Sequence, residues 1–169
     1  MVNLWRLQLF GGLVARQGEK VIVRFPTQKT AALLGYLALA RGKAVPREVL
    51  LDVLWPESDL SAARNSLSVA LSSLRAQLEA PSVSPGSSPL GQVLIADRSF
   101  VQLSKEAIET DVSRFEQLLK QGDAASLTAA LDLYTGELLP GFSETWVVVE
   151  RERLALSAEN ARAQLAQLS

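Results

Sequence analysis

Residues 59–80 read DLSAARNSLSVALSSLRAQLEA, and their spacing decides the fold of the front half of the chain. Ala63, Leu67, Ala70, Leu71, Leu74 and Leu78 recur at intervals that put one apolar stripe along one side of a helix. Arg64, Asn65, Ser68, Val69, Ser72 and Arg75 fall on the other side. Ser58, Asp59 and Ser61 offer N-caps, so a helix is predicted from about Leu60 to Ala80.

Upstream, a short helix is expected to start near Pro46, where proline suits the first turn, and to end at Trp55, because Pro56 cannot continue it. Before that, Thr27 is the expected N-cap of a helix reaching about Arg41, with Gly42 as its stop. The first 25 residues read as strands: Trp5, Leu7 and Leu9 alternate with polar residues, as do Val21, Val23 and Phe25 around Ile22 and Arg24. Downstream, Pro81 to Pro89 is a loop by composition. Val93 and Ile95, then Val101 and Leu103, alternate around Asp97-Arg98-Ser99 as a β-hairpin. From Asp111 onward the chain reads as helical. Asp111 and Asp123 are the expected caps of two helices, Gly122 and Gly136 their stops, and a last helix runs from about Glu144 to Leu168.

Sheet, three helices and a terminal hairpin, in that order, is the element pattern of a winged helix. The fold expected is therefore an α+β N-terminal winged helix over residues 1–105. An all-α, tetratricopeptide-like helical module over residues 106–169 follows it. Charge divides in the same place: residues 1–105 carry 12 Lys/Arg against 7 Asp/Glu, and residues 106–169 carry 5 against 11. A basic front half favours a polyanionic partner.

Composition excludes much chemistry. The 169 residues contain no cysteine and no histidine. Thiolate metal sites, thiol nucleophiles, and the commonest general base and metal ligand are thus missing. Glu150 and Glu152, at i and i+2 of a helix, point to different faces, and Gly11-Gly12 lacks the Gly-Lys-Ser/Thr of a phosphate loop. No catalytic residue, metal or cofactor is expected. No stretch approaches the ~20 apolar residues of a membrane helix, and a cytoplasmic protein is expected.

In a winged helix, the polar face of the long helix carries base contacts. Arginine can grip guanine, asparagine adenine, and serine either. Arg64, Asn65, Ser68, Val69, Ser72 and Arg75 are therefore candidate DNA-binding residues, although Arg64 reads equally well as a surface ion pair with Asp59 or Glu57, and Arg75 more readily as a solvated helix residue. Arg98 at the hairpin tip and Arg47 at the start of the second helix, where free N–H groups favour anions, are candidate phosphate contacts. Trp55 either plugs the core or faces a partner. The remaining aromatic residues read as core.

Several blocks resemble the SARP/AfsR-type bacterial activators. They are Leu9-Phe10-Gly11-Gly12, Leu33-Leu34-Gly35-Tyr36-Leu37, Pro46-Arg47-Glu48, Leu54-Trp55-Pro56 and Ala63-Arg64-Asn65-Ser66-Leu67. Asp111 with Phe115-Glu116, Tyr134 to Phe142, Trp146 and Glu150-Arg151-Glu152-Arg153-Leu154 continue the match in family order. The resemblance implies an OmpR/PhoB-like winged helix whose third helix enters the major groove, followed by a bacterial transcriptional activation domain. It further implies that the loop after the second helix, with Trp55, Pro56, Glu57 and Asp59, meets RNA polymerase. Double-stranded promoter DNA is the implied partner, bound by a homodimer on direct repeats. Two departures stand out. The third helix carries fewer arginines than many relatives, so weaker intrinsic DNA affinity, or reliance on dimers and partners, is expected. Only about three helices follow Asp111, so the activation module is expected to be partial. A protein-interaction scaffold of the same architecture, with weak or no DNA binding, is the alternative reading.

Overall fold

The computed structural model describes residues 4–79 and 93–168. The proline–serine loop at 81–89 and the expected helix end at Ala80 lie outside the described residues. The elements run β1 (Trp5–Gln8), β2 (Val14–Gln17), β3 (Lys20–Ile22), α1 (Gln28–Leu39), β4 (Val45–Pro46), α2 (Arg47–Leu54) and α3 (Leu60–Leu78). Then come β5 (Leu94–Ala96), β6 (Phe100–Leu103), β7 (Ile108–Thr110), α4 (Asp111–Gln121), α5 (Ala124–Leu133) and α6 (Thr145–Leu168). The strands form one sheet of order β3-β2-β1-β7 and a second of order β4-β6-β5. By internal contacts the chain divides into two compact units, Met1–Trp5 with Arg16–Ile108, and Arg6–Ala15 with Glu109–Ser169.

In the first unit, α1, α2 and α3 pack on one another and α1 packs on β6. Leu33, Leu34 and Leu37 of α1, Leu50 and Leu54 of α2, and Leu67 and Leu74 of α3 are buried, as are Leu94, Val101 and Leu103 of the small sheet. At roughly 1.5–3 kcal/mol per fully buried aliphatic side chain, this cluster is what holds the three helices in place. Caps set the helix starts: the Thr27 hydroxyl accepts from Thr30 N–H at 3.0 Å and Asp59 from Ala62 N–H at 2.8 Å. Trp5 is fully buried, and its indole N–H donates to the carbonyl of Leu78 at 2.9 Å, which satisfies an orphan group at the end of α3.

Sequence periodicity misplaced several details here. Strand β3 ends at Ile22, and Val21 and Val23 are 52% and 60% exposed, so the alternation read through Phe25 does not mark a buried face. In the hairpin, Leu94 pairs with Leu103 and Ala96 with Val101. Leu94 therefore shares the core face with Val101 and Leu103, and Ile95 turns outward. Strands β4 and β7 were not anticipated. Two or three residues are too few to show a period.

In the second unit, α5 packs against both α4 and α6. The rings of Phe10, Phe115 and Tyr134 meet with centroids 5.0–5.9 Å apart, two of the three contacts edge-on. Asp111 is not the cap of α4. That role falls to Thr110, whose hydroxyl accepts from Ser113 N–H at 3.0 Å. The Asp111 carboxylate instead accepts from the backbone N–H groups of Leu9 and Phe10 at 2.9–3.1 Å. Gly122 ends α4 in the left-handed region at φ 72°. Helix α5 ends at Leu133 with Tyr134 as its C-cap, so Gly136 is not its stop. Gly136 is instead a point of close approach, because a Cβ there would lie 3.0 Å from the Gly11 Cα.

The Glu150–Leu154 block has two structural tasks. Arg151 donates to the carbonyls of Leu138, Leu139 and Phe142 at 2.7–2.9 Å, which fixes the turn in which Leu139 adopts φ 44°. Arg153 bridges Glu116 and Glu150 at 2.9 and 2.7 Å. Arg153 thus works on the helix surface through ion pairs, whereas Arg151 works inward on backbone carbonyls, with Glu137 3.7 Å from its Nε.

Candidate nucleic-acid interface

The outward side of α3 was set by sequence: the six apolar residues read as inward-facing are the six that are buried. Arg64, Asn65, Ser68, Val69 and Ser72 are exposed. Beside them lies a cleft of about 790 Å³. Pro46, Arg47, Glu48 and Leu51 line it from β4 and α2, Arg64, Leu67 and Ser68 from α3, and Asp97, Arg98 and Ser99 from the hairpin tip. Four of the eight candidate DNA contacts, Arg47, Arg64, Ser68 and Arg98, meet in this one place. Asn65, Val69, Ser72 and Arg75 do not line it.

The hairpin tip is joined to the start of α2 by backbone and side chain. Strand β4 pairs with β6 so that Pro46 faces Phe100, and Arg47 N–H donates to the Ser99 carbonyl at 2.9 Å. Arg47 Nε donates to the Asp97 carbonyl at 2.6 Å. That bond spends one guanidinium donor; among the described residues the two Nη groups make no hydrogen bond or ion pair. Asp97 turns its own carboxylate back onto the tip, accepting from Ser99 N–H at 2.7 Å and Phe100 N–H at 2.9 Å. These bonds, the one from Phe100 foremost and then that from Ser99, with the nearby Arg47 charge, hold the Asp97 carboxyl below its ordinary range. Asp97, the acid next to Arg98 in sequence, is therefore engaged with backbone. Among the described residues Arg98 makes no ion pair, and neither does Arg64, so the expected bridge from Arg64 to Asp59 or Glu57 does not form.

Arg75 differs. It is half-buried and lies 3.9 Å from Glu79, whose carboxylate also accepts from Val93 and Leu94 N–H at 3.0 and 3.1 Å. In the α2–α3 loop Trp55 is half-buried and is the C-cap of α2, Pro56 and Glu57 are exposed, and Asp59 is engaged as the cap of α3. Glu48 and Asp97 are the site residues that sequence reasoning missed. For Asp97 a signal was present, since Asp-x-Ser at a hairpin tip is the pattern of a side chain that bonds backbone two residues on.

Among the described residues no group of three acidic side chains is placed to hold a metal, and no helix is long and apolar enough to cross a membrane.

Residues 24–86 match the family described as "Transcriptional regulatory protein, C terminal". No curated protein sequence matches the chain. Its fold is similar to that of Mycobacterium tuberculosis EmbR, solved in complex with a low-affinity phosphopeptide. The TM-score is 0.83 at 24% identity over 98% of this chain, which spans 45% of the EmbR chain. The family match covers little over a third of the chain, and the likeness to EmbR is one of fold: an N-terminal α+β winged helix followed by a helical module.

Proposed function

We propose that the protein is a sequence-specific DNA-binding transcriptional regulator of promoters in the cytoplasm, acting by docking and recruitment. Helix α3 is the element that enters the major groove. At 19 residues and ~1.5 Å per residue it is roughly 28 Å long, enough to cross a groove about 12 Å wide and stay anchored at its far end. Arg47, Arg64 and Arg98 take backbone phosphates at the groove edge, and Arg75 adds a weaker contact. Asn65, Ser68, Val69 and Ser72 face the bases.

One observation carries this reading. Three arginines from three separate elements converge on one cleft beside the exposed face of α3, and two of them, Arg64 and Arg98, have no acidic partner among the described residues. Glu48 and Asp97 also line the cleft, but Arg64 and Arg98 stay unpaired there among the described residues, and clustered cations with free charge are what a phosphate backbone requires. Recruitment is the finer part of the proposal. The exposed Pro56 and Glu57, with Trp55 and Asp59 beside them, form the surface offered to RNA polymerase, and two copies on a direct repeat form the active assembly.

Anisotropy titration of the 169-residue chain with promoter duplexes at several salt concentrations tests the DNA-binding reading. Binding whose log affinity falls linearly with log salt is expected. Absence of binding to any duplex near ~50 mM salt would refute it and leave the interaction scaffold as the better account.

A further inference from the structure

A helix advances about 100° per residue, so the exposed residues of α3 fall into two strips. Arg64 and Arg75 lie on the flank, with Arg64 turned into the cleft. Asn65, Val69 and Ser72 lie roughly a quarter-turn away, opposite the buried stripe of Leu67, Ala70 and Leu74. The strip that points straight out therefore holds no charged residue. It holds instead a carboxamide and, one turn on, a β-branched apolar side chain that is 58% exposed.

We infer that this strip reads A·T base pairs, with the Val69 methyl groups packed on the C5-methyl of a thymine and the Asn65 carboxamide bonded to an adenine one or two steps away. The inference rests on the proposed docking of α3 in the major groove and names the base chemistry it selects. Guanine is the natural partner of arginine, and no arginine stands on this strip. Adenine presents the N6 donor and N7 acceptor that a carboxamide matches, and thymine is the only base with a methyl group in the major groove. Residues at i and i+4 are neighbours along a helix surface, about 5–6 Å apart between Cβ atoms, which spans one to two base-pair steps. Exposure of Val69 to water has no structural return, since Leu67, Ala70 and Leu71 already fill the core side of that turn. The flanking arginines supply the charge complementarity that brings the strip to the duplex.

The test places the change in the DNA, where protein folding plays no part. A duplex is first obtained by selection with the full chain from a random pool, and each thymine is then replaced singly by deoxyuridine, which lacks only the methyl. One thymine in each bound site is expected to lose about three- to fivefold in affinity on replacement, the worth of a buried methyl. Val69→Ala is expected to bind the thymine and deoxyuridine duplexes equally, and Asn65→Ala to relax selection at one adenine. Selected sites that contain no A·T pair, or binding by the unaltered chain that ignores every replacement, would overturn the inference while leaving DNA binding in place. Failure of the pool to enrich at all would overturn the docking reading and this inference with it.

Discussion

Each arginine of the cleft has a separate and measurable share in phosphate binding. A side chain that neutralises one phosphate contributes about 0.9 to the slope of log affinity against log salt on duplex DNA. Between about 50 and 200 mM salt, loss of one such contact therefore changes the ratio of unaltered to variant affinity about 3.5-fold, and loss of three changes it about 40-fold. Arg64→Ala and Arg98→Ala are expected to show the full single effect, because neither side chain makes an ion pair among the described residues. Arg47→Ala is expected to show at least that, since its Nε also holds the Asp97 carbonyl at 2.6 Å and the tip loses a tether with it. Arg75→Ala is expected to change the slope least, because Glu79 lies 3.9 Å from its guanidinium and already offsets part of its charge. The assay is fluorescence anisotropy on one duplex over a salt series, with each variant checked for its melting transition. Equal slopes for the Arg64 and Arg75 variants would refute the assignment of the cleft as the phosphate-binding edge.

Three further outcomes follow from the packing and the caps. Leu74→Ala removes a fully buried side chain where α3 rests on the core, and urea unfolding should show a loss of about 2–5 kcal/mol. Asp59→Ala removes the cap bond to Ala62 N–H and should cost about 1 kcal/mol in the same assay; no loss would mean that the carboxylate is not engaged as described. Burial pushes the Asp111 carboxyl above its ordinary value of 3.8, against the opposing N–H bonds from Phe10 and Leu9. Its contribution to stability is therefore fullest in acid and is lost as pH rises through its folded-state midpoint. Asp97 is held low by Phe100 and Ser99 N–H, and Asp123 by the Ser126 hydroxyl and N–H. Their contributions are present above 3.8 and vanish as pH falls through their lowered midpoints. A carboxyl NMR titration should place Asp111 above 3.8 and the other two below it.

The residues themselves explain which parts of the fold are legible in the sequence. Helix α3 was legible to the residue on its buried face because 19 residues give five turns of a period. The caps Thr27 and Asp123 are legible because each is a short polar side chain just ahead of an apolar run, whereas at α3 the sequence leaves Ser58, Asp59 and Ser61 as equal candidates and the structure selects Asp59. Asp111 was misassigned for the same reason. Thr110 and Asp111 both suit a cap, and the choice between them depends on Leu9 and Phe10, a hundred positions away. The two-residue strand β4 showed no pattern, although it fixes Arg47 beside the hairpin tip. That Arg47, Arg64 and Arg98 would share one cleft was likewise not legible, since proximity arises from the packing of α2, α3 and β6 around Leu50, Leu67 and Val101. The residue types at the site were visible in sequence, and their convergence was not.

The most direct test of a DNA-binding face on α3 is a backbone NMR titration of the whole chain with a selected duplex. The account predicts that amides of residues 61–72 and 97–99 shift or broaden together while those of α4 and α5 stay in place. Shifts confined to residues 111–168, with the α3 and hairpin-tip amides unmoved, would contradict it.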